Sequence, residues 1–255
     1  MILTQVNFLS EVLQVHCEMN VLLPQRSLAE ARGRRKAKYP TLYLLHGDFD
    51  DHTAWGRWTS VERYAEAYDL VVVMPSVHNT FYTDMADGDD YFTFISDEVP
   101  AVARDLFPLS AERAANFVAG MSMGGYGAFK LALTLPGRYA AAASLSGALD
   151  MRPELEADDP EWLEAMRDAF GDLDRISGSE HDLFALAGKV ARAGPKPRLF
   201  QCCGTEDFLY ADNIRFRDFV RPLGFDYTYM EGPGEHDWGY WDAMIQKVLA
   251  WLPLR

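Results

Sequence analysis

Cysteine is scarce in this sequence of 255 residues, which contains three, at Cys17, Cys202 and Cys203. An odd number with neither a CxxC pair nor a Cys/His pattern provides no zinc-binding spacing, so we predict that the chain binds no metal. Cys202 and Cys203 are adjacent in an apolar stretch, which indicates reduced side chains packed in a core. Without a disulfide framework, we expect a cytoplasmic protein.

Basic residues are also few, since 24 Lys and Arg against 38 Asp and Glu give a formal net charge of −14. Phosphate binding requires a basic face, so this balance argues against nucleic-acid binding. The one basic cluster, residues 32–38, lies in a polar stretch and is predicted to form a solvated loop. No run approaches the roughly 20 apolar residues of a membrane span, and residues 1–15 lack the features of a secretion signal. We therefore expect no membrane partner.

Short runs rich in apolar residues recur along the chain and predict a mostly parallel sheet covered on both faces. Two β-like stretches lie within residues 1–23, and six further strands are predicted at Tyr39–Gly47, Leu70–Pro75, Asn116–Gly120, Tyr139–Leu145, Pro197–Cys203 and Phe225–Met230. Helical patterns separate most of them, at Trp58–Tyr68, Phe94–Leu106, Met123–Leu135, Asp212–Val220 and Asp237–Trp251. Strands that alternate with helices predict a single α/β domain over residues 1–255, with a doubly wound sheet and helices on both faces.

Two long connections interrupt this alternation, at Ser76–Tyr91 and Ala148–Pro195. The second contains short helical patterns around Trp162 and Phe184, so residues 148–195 are interpreted as a short cap insertion. Long connections after the strands of such sheets usually frame the binding crevice. We expect both segments to shape a substrate pocket.

A G-x-S-x-G pattern, Gly120 to Gly124 around Ser122, follows a predicted strand and opens a predicted helix. This context is the one that a nucleophile elbow requires. The serine must occupy a sharp, strained turn that lifts its hydroxyl clear of the sheet, and the two glycines let strand and helix approach without Cβ clashes. Ser122 is therefore the predicted nucleophile.

Serine is a weak nucleophile and needs a positioned base, which is itself oriented by an acid. Hydrolases with this elbow place the three residues in the order Ser, acid, His, with the histidine on a late loop. His236 fits, because it lies in a Gly/Pro loop between the last predicted strand and the last helix. Asp207, on the loop after the preceding strand, is the predicted acid, and its neighbour Glu206 is the alternative.

An oxyanion hole is expected from two backbone amides, which usually come from the residue after the nucleophile and from an earlier loop. The first is predicted to be the amide of Met123. The second is predicted to be the amide of Asp48, because Gly47 lets the loop after the strand ending at Leu45 turn toward the site. His46 is interpreted as a residue that shapes this loop, and His181, in the cap, as an exposed surface residue.

The sequence resembles the esterase D group of α/β-hydrolases, and within it the small bacterial tributyrin or acetyl esterases. The matching motifs run the length of the chain, at Met19–Pro24, Leu44–Gly47, Trp55, Met74–Ser76, Asn79–Asp84, Gly120–Gly125, Cys203–Phe208 and Gly234–Trp238. The resemblance implies an α/β-hydrolase fold and hydrolysis of small acyl esters without a cofactor. It implies the triad Ser122, Asp207 and His236, and a homo-oligomer, since members of the group often form dimers or tetramers.

One departure from that group is Asp48, where apolar residues are more usual. A carboxylate beside an oxyanion is unfavourable, so we expect this side chain to point outward. The substrate pocket is predicted to involve Trp55, His78, Phe81, Tyr82 and Trp162, since bulky side chains near the nucleophile would shorten it.

The predicted function is a serine carboxylesterase that hydrolyses short-chain acyl esters through an acyl-enzyme intermediate. An S-formylglutathione hydrolase-like thioesterase is the alternative within the enzymes, because the same fold and triad serve it. An inactive hydrolase-like binding protein is the alternative from another class. Such proteins usually lack a triad member, whereas all three candidates are present here.

Overall fold

The fold is built on one eight-stranded sheet, seen in a computed structural model that describes residues 1–25, 38–154 and 159–254. The predicted basic loop at 32–38 lies outside the described residues except for Lys38. The strands are β1 (Ile2–Leu9), β2 (His16–Leu23), β3 (Thr41–Leu45), β4 (Val71–Pro75), β5 (Asn116–Met121), β6 (Ala141–Leu145), β7 (Arg198–Gly204) and β8 (Tyr227–Gly232). Their order is β1-β2-β4-β3-β5-β6-β7-β8.

The six neighbouring strands β4-β3-β5-β6-β7-β8 are parallel to one another. The other two pairings, of β1 with β2 and of β2 with β4, are antiparallel. The central strands are buried at every position because apolar layers cover both faces. In β3, Tyr43 and Leu45 join one core cluster, and Leu42 and Leu44 join the other. The predicted fold class, an α/β-hydrolase fold with a mostly parallel sheet, is confirmed.

Helices connect the strands and form these two layers. They are α1 (Ala54–Trp58), α2 (Val61–Ala65), α3 (Val99–Leu106), α4 (Met123–Thr134), α5 (Met151–Glu154), α6 (Pro160–Phe170), α7 (Leu183–Ala193), α8 (Tyr210–Val220) and α9 (Trp238–Trp251). A π-helical turn, Phe94–Glu98, leads directly into α3. Within the described residues, no helix combines the length and the apolar composition needed to cross a bilayer.

The helical pattern predicted at Trp58–Tyr68 corresponds to a shorter helix, since α1 ends at Trp58 and α2 spans only Val61–Ala65. Thr59 between them is extended, with φ −131° and ψ 172°. The amide of Ser60 donates to Asp242 Oδ1 at 2.9 Å, which ties the break to α9. The two residues joined by this bond lie 182 residues apart in the sequence.

The helical pieces predicted around Trp162 and Phe184 are α6 and α7. Each begins at an aspartate, Asp159 or Asp182, whose Oδ1 accepts the amides two and three residues later and so caps the helix. The last residue of α6, Phe170, packs against Phe81, with ring centroids 5.4 Å apart. The cap insertion therefore lies against the other long connection.

Candidate active site

The turn at Ser122 is strained in the way that the G-x-S-x-G pattern predicts. Ser122 has φ 54° and ψ −123°, a backbone conformation that residues other than glycine rarely adopt. A Cβ on Gly120 would lie 2.2 Å from the carbonyl oxygen of Gly124, and one on Gly124 would lie 2.4 Å from that of His46. Both positions therefore require glycine for β5, α4 and the β3 loop to pack together.

The structure brings the three predicted triad residues together from three loops. Ser122 follows β5, Asp207 follows β7 and His236 follows β8, at the carboxyl ends of parallel strands. His236 Nε2 lies 3.0 Å from Ser122 Oγ, and Nδ1 lies 3.0 and 2.9 Å from the two carboxylate oxygens of Asp207. Because a carboxylate only accepts hydrogen bonds, Nδ1 carries the proton and Nε2 is left to accept from Ser122.

The carboxylate of Asp207 is fully shielded from solvent. Burial tends to raise its pKa, but the hydrogen bond and charge of His236, with the amide of Leu209 at 2.8 Å, outweigh burial and hold the pKa below its ordinary value. Asp207 therefore stays ionised.

The alternative acid, Glu206, is exposed, and its carboxylate binds the backbone of Gly234. Its Oε2 accepts the amide of Gly234 at 2.6 Å, and its own amide donates to the carbonyl of Gly234 at 3.1 Å. This pair of bonds joins the acid loop to the histidine loop. The main cause of its lowered pKa is the Gly234 amide rather than the imidazole.

The loop expected to supply the second oxyanion donor passes beside the nucleophile. A Cβ on Gly47 would lie 3.3 Å from Cβ of Ser122, and both Asp48 and Met123 line the same cavity as Ser122. His46 is buried, its Nε2 accepts the amide of Val77 at 3.0 Å, and its Nδ1 donates to the carbonyl of Gly47 at 2.7 Å. Burial lowers the pKa of His46 to about 4, so this loop is held by a neutral imidazole.

Three of the five predicted substrate-binding residues do not line this cavity. Trp55 and Tyr82 are buried and stabilise the loop after β3 through hydrogen bonds. The indole of Trp55 donates to the carbonyl oxygen of Leu45 at 2.9 Å, and the phenol of Tyr82 donates to that of His46 at 2.8 Å. His78 is exposed and packs edge-on against Tyr91. Sequence position after a strand end could not distinguish a pocket wall from a buried support.

Phe81 and Trp162 do line the cavity, which has a volume of about 670 Å³. Four further aromatic residues, absent from the predicted set, also line it: Phe49, Phe208, Trp238 and Trp241. The rings of Phe208 and Trp241 lie 4.4 and 4.9 Å from that of His236. The spacing of the two tryptophans, three residues apart just after His236, was the available signal for one shared helix face.

The expectation that the Asp48 side chain points outward is wrong, because the residue is only partly exposed and Oδ1 is buried without a hydrogen-bond partner among the described residues. Burial raises the pKa of this carboxyl. Asp50, which also lines the cavity, has its pKa raised to about 6 by burial and by the charges of Asp51 and Asp48, against the opposing effect of Arg57. The cavity wall therefore includes two partly buried carboxyl groups, at Asp48 and Asp50.

His181 is not an exposed surface residue either. Its side chain is 15% exposed, and Nδ1 lies 3.3 Å from Lys130 Nζ and 3.2 Å from Thr83 Oγ1. Burial, with the charge of Lys130, lowers the pKa of His181 to about 4, and burial lowers the pKa of Lys130 to about 7. This buried group links the cap to α4 behind the cavity.

Known proteins with similar sequences and structures include esterases and serine hydrolases. The Esterase family model matches residues 10–252. An acetyl esterase from Caldicellulosiruptor saccharolyticus is 30% identical, over 99% of this chain and 98% of that one. Two structures from Staphylococcus aureus cover 98% of both chains: the substrate-bound fluorophosphonate-binding serine hydrolase F (35% identity, TM-score 0.91) and an S-formylglutathione hydrolase apoenzyme (36%, TM-score 0.88).

Proposed function

Because the chain belongs to the Esterase family and is a carboxylic ester hydrolase, we propose that Ser122, His236 and Asp207 are its catalytic triad. We propose that it cleaves short-chain acyl esters through an acyl-enzyme intermediate. The observation that carries this proposal is the position of His236, 3.0 Å from the hydroxyl of Ser122 and 2.9 Å from the carboxylate of Asp207.

In the first half-reaction, Ser122 Oγ attacks the ester carbonyl carbon while His236 Nε2 takes the hydroxyl proton. The imidazolium that forms is stabilised by Asp207, which stays ionised. The carbonyl oxygen becomes an oxyanion and accepts hydrogen bonds from the amides of Met123 and Asp48. Each such donor is typically worth about 3 kcal/mol in the transition state.

Collapse of the tetrahedral intermediate breaks the bond between the carbonyl carbon and the leaving oxygen, to which His236 returns the proton. The alcohol departs and the acyl group remains on Ser122. Water then attacks the acyl-enzyme with His236 again as the base, and the carboxylic acid is released. All of these steps use side chains and amides of the chain itself.

Two observations support a short acyl group. The Caldicellulosiruptor relative is named an acetyl esterase. The cavity at Ser122 is lined by bulky rings, including Phe81, Trp162 and Trp241, and bulk near a nucleophile limits the length of chain that fits. We propose acetyl to butyryl esters as the favoured substrates. The proposal includes two further predictions: the chain forms a single domain, and it assembles into a homo-oligomer.

Labelling with a fluorophosphonate probe tests the triad directly, because only an activated serine reacts quickly. We expect the purified protein to label and to hydrolyse p-nitrophenyl acetate, and Ser122→Ala to do neither. Ser110→Ala is a control, since Ser110 is also a buried serine but precedes the amino end of β5, at the other end of that strand from Ser122. A folded protein that neither labels nor hydrolyses the ester, as expected of an inactive binding protein, would refute the proposal.

A second candidate function is hydrolysis of S-formylglutathione. It is favoured by the similarity to the S-formylglutathione hydrolase from Staphylococcus aureus, which is 36% identical to this chain over 98% of both chains. The thioester would be attacked by the same Ser122, with a thiol as the leaving group. One assay distinguishes the two candidate functions. It compares kcat/KM for S-formylglutathione with kcat/KM for p-nitrophenyl acetate.

A further inference from the structure

The cavity at Ser122 adjoins a second, smaller cavity of about 280 Å³. Five residues line both: Asp48, Phe49, Phe81, Asp159 and Trp162. We call these five residues the acidic–aromatic junction. They come from three different segments, the loop after β3, the loop after β4 and the start of α6. The backbone amide of Asp48 is also a proposed hydrogen-bond donor to the oxyanion, so the junction adjoins the position of the reacting carbonyl group.

The junction and its surroundings are rich in acidic residues. Besides Asp48 and Asp159, Asp50 lines the catalytic cavity and Glu161 lines the smaller one. None of the described residues that line either cavity is a lysine or an arginine. Arg57 acts on Asp50 but does not line the cavities. Oδ1 of Asp48 is buried without a hydrogen-bond partner in the described part of the chain, whereas a backbone hydrogen bond from Phe49 acts on the same carboxyl group, so one oxygen of this carboxyl group is left without a polar partner.

The same junction is rich in aromatic surface. Phe81 and Trp162 pack edge to face, with centroids 5.9 Å apart and planes at 71°. Phe49 is 87% exposed and has φ 61°, an unusual conformation for a large side chain. Aromatic rings combined with carboxylates form sites for organic cations, because the negative face of each ring attracts the charge without competing for hydrogen bonds.

We propose that the acidic–aromatic junction binds a positively charged ammonium group carried by the ester substrate. This inference rests on the proposed function, since the cation must belong to an ester whose carbonyl reaches Ser122. A cation there would pair with Asp48 and Asp159 and contact the rings of Phe49 and Trp162. An anionic group would face the carboxylates, so the enzyme discriminates against esters that carry a carboxylate. The same charge disfavours glutathione thioesters, whose two carboxylates exceed their one ammonium.

Three acetate esters of similar size test this selectivity: acetylcholine, its uncharged isostere 3,3-dimethylbutyl acetate, and the anion 4-acetoxybutanoate. At low ionic strength we expect kcat/KM to fall in that order, by about tenfold at the first step, as a desolvated cation–π site with nearby carboxylates predicts. Raising NaCl from about 0.02 M to about 0.5 M should reduce the preference, because salt screens charges that remain in contact with solvent.

Two variants locate the effect. Asp159→Asn removes a charge but keeps a side chain that caps α6, and Trp162→Leu removes a ring. Each should lower the ratio of acetylcholine to isostere by about threefold or more, as the loss of one ionic or cation–π contact predicts. Asp182→Asn is the matched control, because Asp182 caps α7 by the same two bonds and lines neither cavity. Its ratio should equal that of the wild type.

The outcomes separate this inference from the proposed function. Failure to hydrolyse p-nitrophenyl acetate refutes the esterase mechanism itself. If that ester is hydrolysed but acetylcholine is no better than its isostere, or if both folded variants keep the wild-type ratio, the junction proposal is wrong. Inhibition of wild-type p-nitrophenyl acetate hydrolysis provides a readout that needs no variant. Choline should inhibit more strongly than 3,3-dimethylbutanol, and equal inhibition would overturn the proposal.

Discussion

Replacing Asp207 by asparagine tests the triad at its most constrained point. In the native site Oδ1 of Asp207 accepts the amide of Leu209 at 2.8 Å, and His236 Nδ1 lies 3.0 Å from Oδ1 and 2.9 Å from Oδ2. An asparagine keeps its amide oxygen toward the Leu209 N–H, because two donors cannot face each other. Its NH₂ group then occupies the Oδ2 position and points at Nδ1.

That arrangement selects the opposite tautomer of the His236 imidazole. An NH₂ group only donates hydrogen bonds, so it selects the imidazole with a bare Nδ1 and a proton on Nε2. The N–H then faces Ser122 Oγ, and the base can no longer take the serine proton. The serine-protease triad loses about ten-thousandfold in kcat for the same change, which corresponds to about 5.5 kcal/mol. We expect a loss of that order here with little change in the fold.

Glu206→Gln is the matched control, an adjacent carboxylate changed to its amide. A glutamine oxygen still accepts the Gly234 amide that Glu206 now binds, so kcat should fall by less than about tenfold, or 1.4 kcal/mol. The measurement is kcat on p-nitrophenyl acetate for both variants, with circular dichroism to verify folding. If the Gln variant is inactive and the Asn variant retains activity, the acid has been assigned to the wrong residue.

Three further predictions concern substrate length, stability and assembly. In a series of p-nitrophenyl esters, acetyl to butyryl chains should be cleaved faster than decanoyl chains, and a maximum at about ten carbons would contradict the crowded cavity. Burial lowers the pKa of Lys130 from 10.5 to about 7, so between those values the unfolded state holds a proton that the folded state lacks, and stability rises with pH. Relative to Lys130→Met, the unfolding free energy of the wild type should therefore rise by about 2 kcal/mol from pH 7 to pH 9 in denaturant titrations; a constant difference would mean that the lysine does not titrate in this range. Light scattering should give a mass of two or four chains, consistent with exposed Leu3 and Leu9 on the edge strand β1, and a particle of 28.8 kDa would count against assembly.

The arrangement of the cavity wall depended on tertiary contacts that no sequence pattern encodes. Trp55 and Tyr82 follow strand ends as pocket residues do, yet both are buried, and each donates its one polar hydrogen to a carbonyl at the end of β3, that of Leu45 or that of His46 just after it. At the break between α1 and α2, the amide of Ser60 donates to Asp242 in α9. The burial of Asp48 and Lys130 follows from which segments cover them, and burial in turn determines their pKa values.

The sequence by itself determined the order of strands and helices, the strained turn at Ser122 and the loops that carry Asp207 and His236. Each of these features is local: apolar runs mark strands buried on both faces, two glycines permit one sharp turn, and the carboxyl ends of parallel strands meet at one edge of the sheet. Only the tertiary structure decided which of the two adjacent carboxylates reaches the imidazole, and which rings and charges surround the substrate. Those outcomes depend on distances between segments far apart in the sequence, such as those of Ser122 and His236, 114 residues apart, and such distances are fixed by packing rather than by any local pattern.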